Sequence, residues 1–235
     1  MPGDRGGHRQ GRHAEHLAVR RLIKPTQRTR LARLRDRGSY DRDTVNAILD
    51  EALVCHVGFH AHHGPVVLPM TYARIGDDLF LHGAGGNDML RHLAGGTDLC
   101  ITVTLLDGLV FARSAFHHSM NYRSAVVFGR ATLVRPDEKA HALRVISEQL
   151  APGRWDEVRP PTPIELKQTS VLRLAIEEGS VKARTGGPID DEDDLGLPVW
   201  AGVLPCTTVW GEPLAAADLE VVLPPSPSIL VRRLS

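Results

Sequence analysis

Residues 53–83 read LVCHVGFHAHHGPVVLPMTYARIGDDLFLHG. Three apolar runs, LVCHVGF, VVLPMTYAR and LFLHG, are separated by two short turn-like pieces, HAHHG and GDD. Runs of this length, rich in β-branched and aromatic residues and split by Gly and Asp, predict strands joined by tight turns. The stretch therefore reads as a three-stranded antiparallel meander.

Working outward, DRDTVNAILDEA (41–52) predicts a short helix capped by Asp41 or Asp43, with Val45, Ile48, Leu49 and Ala52 on one face. Downstream, GAGGNDMLRHLAGG reads as a Gly-rich loop, one short helix and a Gly stop. DLCITVTLLDG and LVFARSAF predict a strand pair reversing at Asp107-Gly108, a favoured hairpin dipeptide. YRSAVVFGRATLVR predicts a long strand with Gly129 as a candidate bulge. PDEKAHALRVISEQL is an amphipathic helix opened by Pro136, and TSVLRLAIEEGSVKAR reads as the last main strand. An acidic loop (186–198) precedes PVWAGVLP. About six antiparallel strands with few short helices predict a mainly β protein forming a closed or nearly closed barrel.

The totals limit the partners. Lys+Arg and Asp+Glu are balanced at 28 each in 235 residues, so net charge favours neither nucleic acid nor a membrane surface. Residues 1–38 hold eleven Lys/Arg and three acids, without interleaved aromatics, and read as a disordered, solvated basic extension. The barrel domain is expected over 39–206, and 207–235 form a Pro-rich tail. Cys55, Cys100 and Cys206 lack metal-type spacing, and their odd number fits reduced thiols. No apolar run is long enough to span a bilayer, and the basic N-terminus lacks the apolar core of a secretory signal, so a cytoplasmic protein is expected.

Four groups of residues invite chemistry. The segment LFLHGAGGNDML (79–90) ends a strand at His82 and opens a helix after Gly residues, an arrangement that offers backbone donors to an anion, although Asp88 would repel one. In SAFHHSMNYRSAVVFG (114–129), Arg123 and Ser124 form a candidate phosphate pair. His117 and His118 are adjacent, so on a strand they point apart and do not share a metal. His60, His62 and His63 read as a solvated turn. Trp200 is large and flat enough to cover a planar ligand or to pin the C-terminal segment. No Gly-x-Ser-x-Gly or Cys/His nucleophile set occurs, which disfavours covalent hydrolysis, and no metal site is expected.

Taken in order, RGSYDRDTVNAILDEALVCHVGF, GPVVLPMTYARIGDDLFLHG, DGLVFARSAFHHSMNYRSAVVFGRA, PGRW, SVKAR and LPVWAGVLP resemble the flavin-nucleotide-binding branch of the pyridoxamine 5′-phosphate oxidase-like superfamily, related to nitroimidazole-resistance proteins. The resemblance spans about Thr26 to Pro205. It implies an FMN-binding split β-barrel, a homodimer with flavin at the interface, and oxidoreductase activity on a small molecule. It implies that Pro69, Met70, Thr71 and Tyr72 run beside the flavin ring, mainly through backbone groups. His82, Gly83, Asn87 and Met89 would lie near its phosphate and ribityl chain. Tyr122, Arg123 and Ser124 would approach it, with the partner subunit as one source of them, and Trp200 and the Lys182/Arg184 segment would close over it. His82, His117, His118 and Tyr122 are the candidate proton donors. Asn87-Asp88 stands where relatives commonly carry a cationic pair, so Arg91 or Arg123 must substitute or FMN is weakly held. Superfamily membership does not fix the substrate, so a flavin- or haem-binding carrier or sensor, or a deazaflavin-dependent reductase, remain the alternatives.

Overall fold

The computed structural model describes residues 21–221 and 223–234. Helix α1 (Arg42–Glu51) begins at Asp41, whose side chain accepts from the Thr44 amide at 3.0 Å. It buries Val45, Ile48 and Leu49, the face expected from the sequence. The meander follows as β2 (Val54–Ala61), β3 (Gly64–Ile75) and β4 (Asp78–Ala84). Its turns are set by Gly64 and Gly76, both at positive φ, which a side chain resists.

After α2 (Asp88–Ala94) come β5 (Asp98–Phe111), β6 (Ser119–Arg130), the short β7 (Thr132–Leu133) and helix α3 (Pro136–Leu150). Two short helices, α4 (Arg154–Glu157) and α5 (Pro163–Gln168), lead to β8 (Thr169–Ala175) and β9 (Glu178–Arg184). Strand β10 (Gly202–Pro205) and helix α6 (Pro227–Leu234) end the chain, and β1 (Gly38–Ser39) precedes α1.

Among the described residues, ten strands form one antiparallel sheet in the order β1-β9-β6-β5-β2-β3-β4-β8-β7, with β10 added to β5. The sheet curls around one core but its ends do not pair: it is a split barrel. Inside lie Val57, Leu81, Ile101, Val127, Leu174 and their neighbours, each such large side chain contributing roughly 1.5–3 kcal/mol by leaving water. A smaller core sits outside the sheet, where α3 covers Ala73, Phe80 and Val171 with Ala142 and Ile146.

Four sequence expectations need correction. The described residues form ten strands rather than about six, because strands of two to four residues carry too little pattern to read. Asp107-Gly108 is not a hairpin: β5 continues through it, and the register against β6 shifts between Leu106 and Gly108. Long pairing with β6 on both sides of the dipeptide outweighs its local turn preference, and Asp107 becomes the extra residue of a bulge. Gly129 is no bulge but pairs regularly with Leu99, and a Cβ there would lie 2.7 Å from Leu174 Cδ1. Finally, TSVLRLAIEEGSVKAR is two strands. It breaks after Ala175, sending β8 to β4 and β9 to β6, the two sides of the split.

Of the basic extension, residues 1–20 lie outside the described residues. Residues 21–38 pack on the barrel: Ile23 is 1% exposed and joins the main core, and the Arg28 guanidinium pairs with Glu178.

Candidate functional site

Because side chains alternate along strands, the barrel's inner face takes Cys55, Val57, Ile101, Val103, Ala125 and Val127, all buried. The residues between them face out and form registered rows. One row crosses four pairings as Pro69, His56, Thr102, Val126 and Ser180. Beside it, Thr104, Ser124 and Lys182 stand in register, with Thr71 opposite Val54. Of these, Val54, His56, Pro69 and Thr104 are exposed, so an imidazole and hydroxyls stand on an open face.

Strand β3 adds a second feature. Its pairing with β2 covers Gly64–Thr71, whereas its pairing with β4 covers only Tyr72–Ile75. From Gly64 to Thr71 one edge of β3 therefore has no strand beside it among the described residues. The backbone of Met70 and Thr71 belongs to that edge. The Tyr72 ring points the other way: it is fully buried, and its hydroxyl donates to the Leu49 carbonyl.

The outer face becomes apolar towards β10. Leu204, Leu109 and Met120 form one exposed row across β10, β5 and β6, and Leu106 lies nearby. Trp200 is 67% exposed, packs over Gly202 and lies 6.2 Å from the Phe111 ring. His118 stacks edge-on against Phe111 at 5.7 Å, and its Nδ1 accepts from the Ala112 amide at 3.1 Å. His117 instead reaches Asp191 at 3.0 Å. The two histidines thus part, but from a 3-10 turn (Ala115–His117) rather than a strand. The neighbouring Asp190 carboxylate is buried and accepts from the Arg113 amide and guanidinium, each at 2.7 Å. The Arg113 amide first, and then its guanidinium, hold the Asp190 carboxyl below the usual range.

Arg123 does not stand free for a phosphate. Its guanidinium is shared between Asp107, at 2.8 and 3.0 Å, and Glu51, at 2.8 Å. Bonding to Glu51, then to Asp107, pushes its pKa up. Two carboxylates against one guanidinium leave this cluster net negative, a poor setting for an anion. Ser124 donates its hydroxyl to the Lys182 carbonyl at 3.0 Å, and Tyr122 is half-buried opposite Arg184. Arg184 is buried and donates to the carbonyls of Gly186 and Gly187 and to Asn121; burial lowers its pKa. The sequence reading overlooked Asn121, which is buried and also donates to the Gly186 carbonyl at 3.1 Å.

The Gly-rich loop has structural work of its own. Asn87 caps α2 by accepting from the Leu90 amide, Met89 enters the main core, and the Gly85 amide donates to Gln168. Gly83 admits α2: a Cβ there would lie 2.9 Å from Leu90 Cδ1. Asp88 takes the Arg91 guanidinium for itself, so Arg91 offers little net charge to a ligand.

His82 lies apart from these residues. On β4, Leu79 and Leu81 enter the main core, while Phe80 and His82 face α3. His82 lines a cavity of about 450 Å³ with Leu143, Ile146, Leu150, Trp155 and Arg159. Its Nδ1 is shut from solvent without a hydrogen-bond partner, and burial lowers the imidazole's pKa, favouring the neutral form.

Comparison with known proteins places this geometry. A family model for pyridoxamine 5′-phosphate oxidase matches residues 41–183. The chain belongs to that family. The structure of the flavocytochrome Anf3 from Azotobacter vinelandii is similar, at 39% identity and a TM-score of 0.83, over 88% of this chain and 97% of that one. The FAD and haem binding protein from Mycobacterium smegmatis is 37% identical with a TM-score of 0.81, over 84% and 97% of the two chains. A protein described as a 5-nitroimidazole antibiotic resistance protein from Bacteroides thetaiotaomicron shares the fold, at 24% identity and a TM-score of 0.50, over 61% and 86%. No curated protein sequence matches the chain. Among the described residues no helix is long and apolar enough to cross a membrane.

Proposed function

We propose that this chain is a flavin- and haem-binding oxidoreductase acting on a small molecule. The observation that carries the reading is the 39% identity, over 88% of the chain, to a flavocytochrome. The outer sheet face fits a flavin. A flat ring lying there meets apolar Val54 and Pro69, hydroxyls from Thr71 and Thr104, and the open edge of β3 for its polar rim. A bound flavin supplies electron transfer, and the residues of the face supply placement and polarity. FMN and FAD share the half that this face would hold. FAD is the proposed nucleotide because the Mycobacterium smegmatis relative is described with FAD.

The proposed assembly is a homodimer. The row Leu204, Leu109, Met120 with Leu106 and Trp200 is the kind of contiguous exposed apolar surface that a second chain covers. The site of action is proposed to be the cytoplasm, where the free thiols of Cys55, Cys100 and Cys206 stay reduced.

Purified full-length chain tests the reading. Flavin and haem bands in its absorption spectrum, and loss of the flavin band under anaerobic NADPH or NADH, support a redox protein. Flavin that binds but is reduced by no donor and turns over no acceptor points instead to a carrier. A colourless chain that takes up neither FMN nor FAD contradicts the proposal.

A further inference from the structure

We infer that the arginine loop over residues 30–37, beside β1, is the docking surface for an acidic one-electron carrier protein. This rests on the proposed flavin-dependent redox chemistry and names the partner that delivers its electrons.

The loop is distinguished by uncompensated charge. Arg30, Arg33, Arg35 and Arg37 hold no carboxylate among the described residues, and the first three are exposed. The other arginines of the described residues are engaged. Most hold an acid, as Arg21 holds Asp77 and Arg130 holds Asp98. Arg184 is buried against backbone carbonyls, and Arg232 lies over the Trp210 ring. Between Thr26 and Tyr40 the sequence offers Asp36 as the sole acid.

The loop is held from inside. Thr29 is buried and its hydroxyl accepts from the Thr26 amide at 2.8 Å. The Tyr40 hydroxyl accepts from the Leu31 amide at 3.1 Å and donates to the Thr29 carbonyl at 2.9 Å. Leu31 packs over Gly38, where a Cβ would lie 2.0 Å from Leu31 Cδ1. Leu34 is instead turned outward, 54% exposed, at a φ of 53° that a bulky side chain resists. An exposed apolar side chain set among unpaired arginines has the make-up of a protein docking spot.

The position suits electron entry. Gly38, at the end of the loop, pairs with Lys182 of β9, which stands in register with Ser124 and Thr104 on the outer face proposed for the flavin. Three strand-to-strand steps separate β1 from β5, about 15 Å at the usual spacing. A carrier seated on the loop therefore brings its redox centre beside that face. Each encounter oxidises the carrier by one electron, and two encounters with two protons from water complete a two-electron reduction of a bound flavin. A negative carrier is steered to this positive patch, and a small charged contact suits the brief encounters of electron transfer. The loop has no aromatic side chain on which nucleic-acid bases could stack, and one exposed leucine is a poor membrane anchor.

The test uses full-length chain reconstituted with flavin and two acidic carriers, a [2Fe–2S] ferredoxin and a flavodoxin. Binding is measured by calorimetry with oxidised carrier and delivery by stopped-flow absorbance with reduced carrier, with flavin content determined in the same samples. Wild type should bind one of them, with an affinity that falls about tenfold or more as salt rises from about 0.01 to 0.15 M. Arg33→Glu/Arg35→Glu should weaken binding and slow delivery by about tenfold or more. Its flavin content, thermal midpoint and reduction by dithionite should be unchanged, because both side chains already face solvent. Arg33→Lys/Arg35→Lys should keep most of the affinity. Leu34→Gly, which suits the left-handed backbone, should raise the thermal midpoint yet weaken binding. A flavin-loaded wild type that binds neither carrier, or a charge-reversed variant that binds equally well, overturns the inference and leaves the flavin reading standing. Binding through these arginines to phosphatidylserine vesicles or single-stranded RNA, without carrier binding, overturns it too. A chain that takes up no flavin contradicts the redox reading beneath it.

Discussion

The Arg123 guanidinium holds the Asp107 carboxylate through Nη2 at 2.8 Å and Nε at 3.0 Å, and it also reaches Glu51 at the end of α1. The bulge in β5 is what brings Asp107 to this position. One side chain thus ties helix α1 to the central strands β5 and β6.

Arg123→Ala is therefore expected to act on stability more than on cofactor affinity. The groups are about one-third to one-half exposed, so the loss should be on the order of 1 kcal/mol in urea unfolding. The flavin dissociation constant should change by less than about threefold, well under the cost of a lost charge-assisted bond. A tenfold or larger loss of affinity (about 1.4 kcal/mol) at unchanged stability would return Arg123 to the phosphate.

Two glycines should differ in cost. A Cβ on Gly108 would lie 2.8 Å from the Leu204 carbonyl oxygen, so Gly108→Ala must push β10 away. A Cβ on Gly129 comes closest, at 2.7 Å, to Leu174 Cδ1, the far end of a side chain rather than backbone. Gly108→Ala should destabilise by about 1–3 kcal/mol and Gly129→Ala by less. Equal midpoints in urea for the two variants would contradict this.

The C-terminal helix α6 should detach in acid. Bonds from Ser226 and then Ser228 lower the Glu157 carboxyl from 4.5 to about 2. A depressed carboxyl stabilises docking above its unfolded value and loses that contribution as pH falls through the folded one. Release is expected between about pH 4.5 and 2, read from Trp210 emission, since Arg232 of α6 lies 5.3 Å over that ring. Glu157→Gln should remove most of this pH dependence, and an unchanged transition would contradict the assignment.

The exposed row on β10, β5 and β6 makes the assembly testable. Leu109→Glu and Leu204→Glu should each convert a two-chain mass in light scattering to a one-chain mass. The far-ultraviolet spectrum should stay unchanged, because both side chains already face out. A wild-type chain that is monomeric at all concentrations rules out the proposed dimer.

The architecture was largely legible in residues 53–83, where alternation and turn glycines act locally. Helix α3, opened by Pro136, and α1, capped by Asp41, were equally readable for the same reason. What sequence reading missed depends on distant partners. Asp107-Gly108 has turn chemistry, but β6 and β10 hold it straight; Ile23 looks like part of a polar tail, yet it fills the core. The site was legible as segments rather than as side-chain roles. Arg123 has the right chemistry for a phosphate, and only the fold reveals the two carboxylates beside it. His82 was drawn to the Gly-rich loop by adjacency, whereas strand alternation sends its ring to α3.

Identifying the chromophore released from purified full-length chain tests the central claim most directly. The expected result is a stoichiometric flavin nucleotide, FAD, retained through purification or taken up on reconstitution. A well-folded chain that carries no flavin and binds neither FAD nor FMN would contradict it.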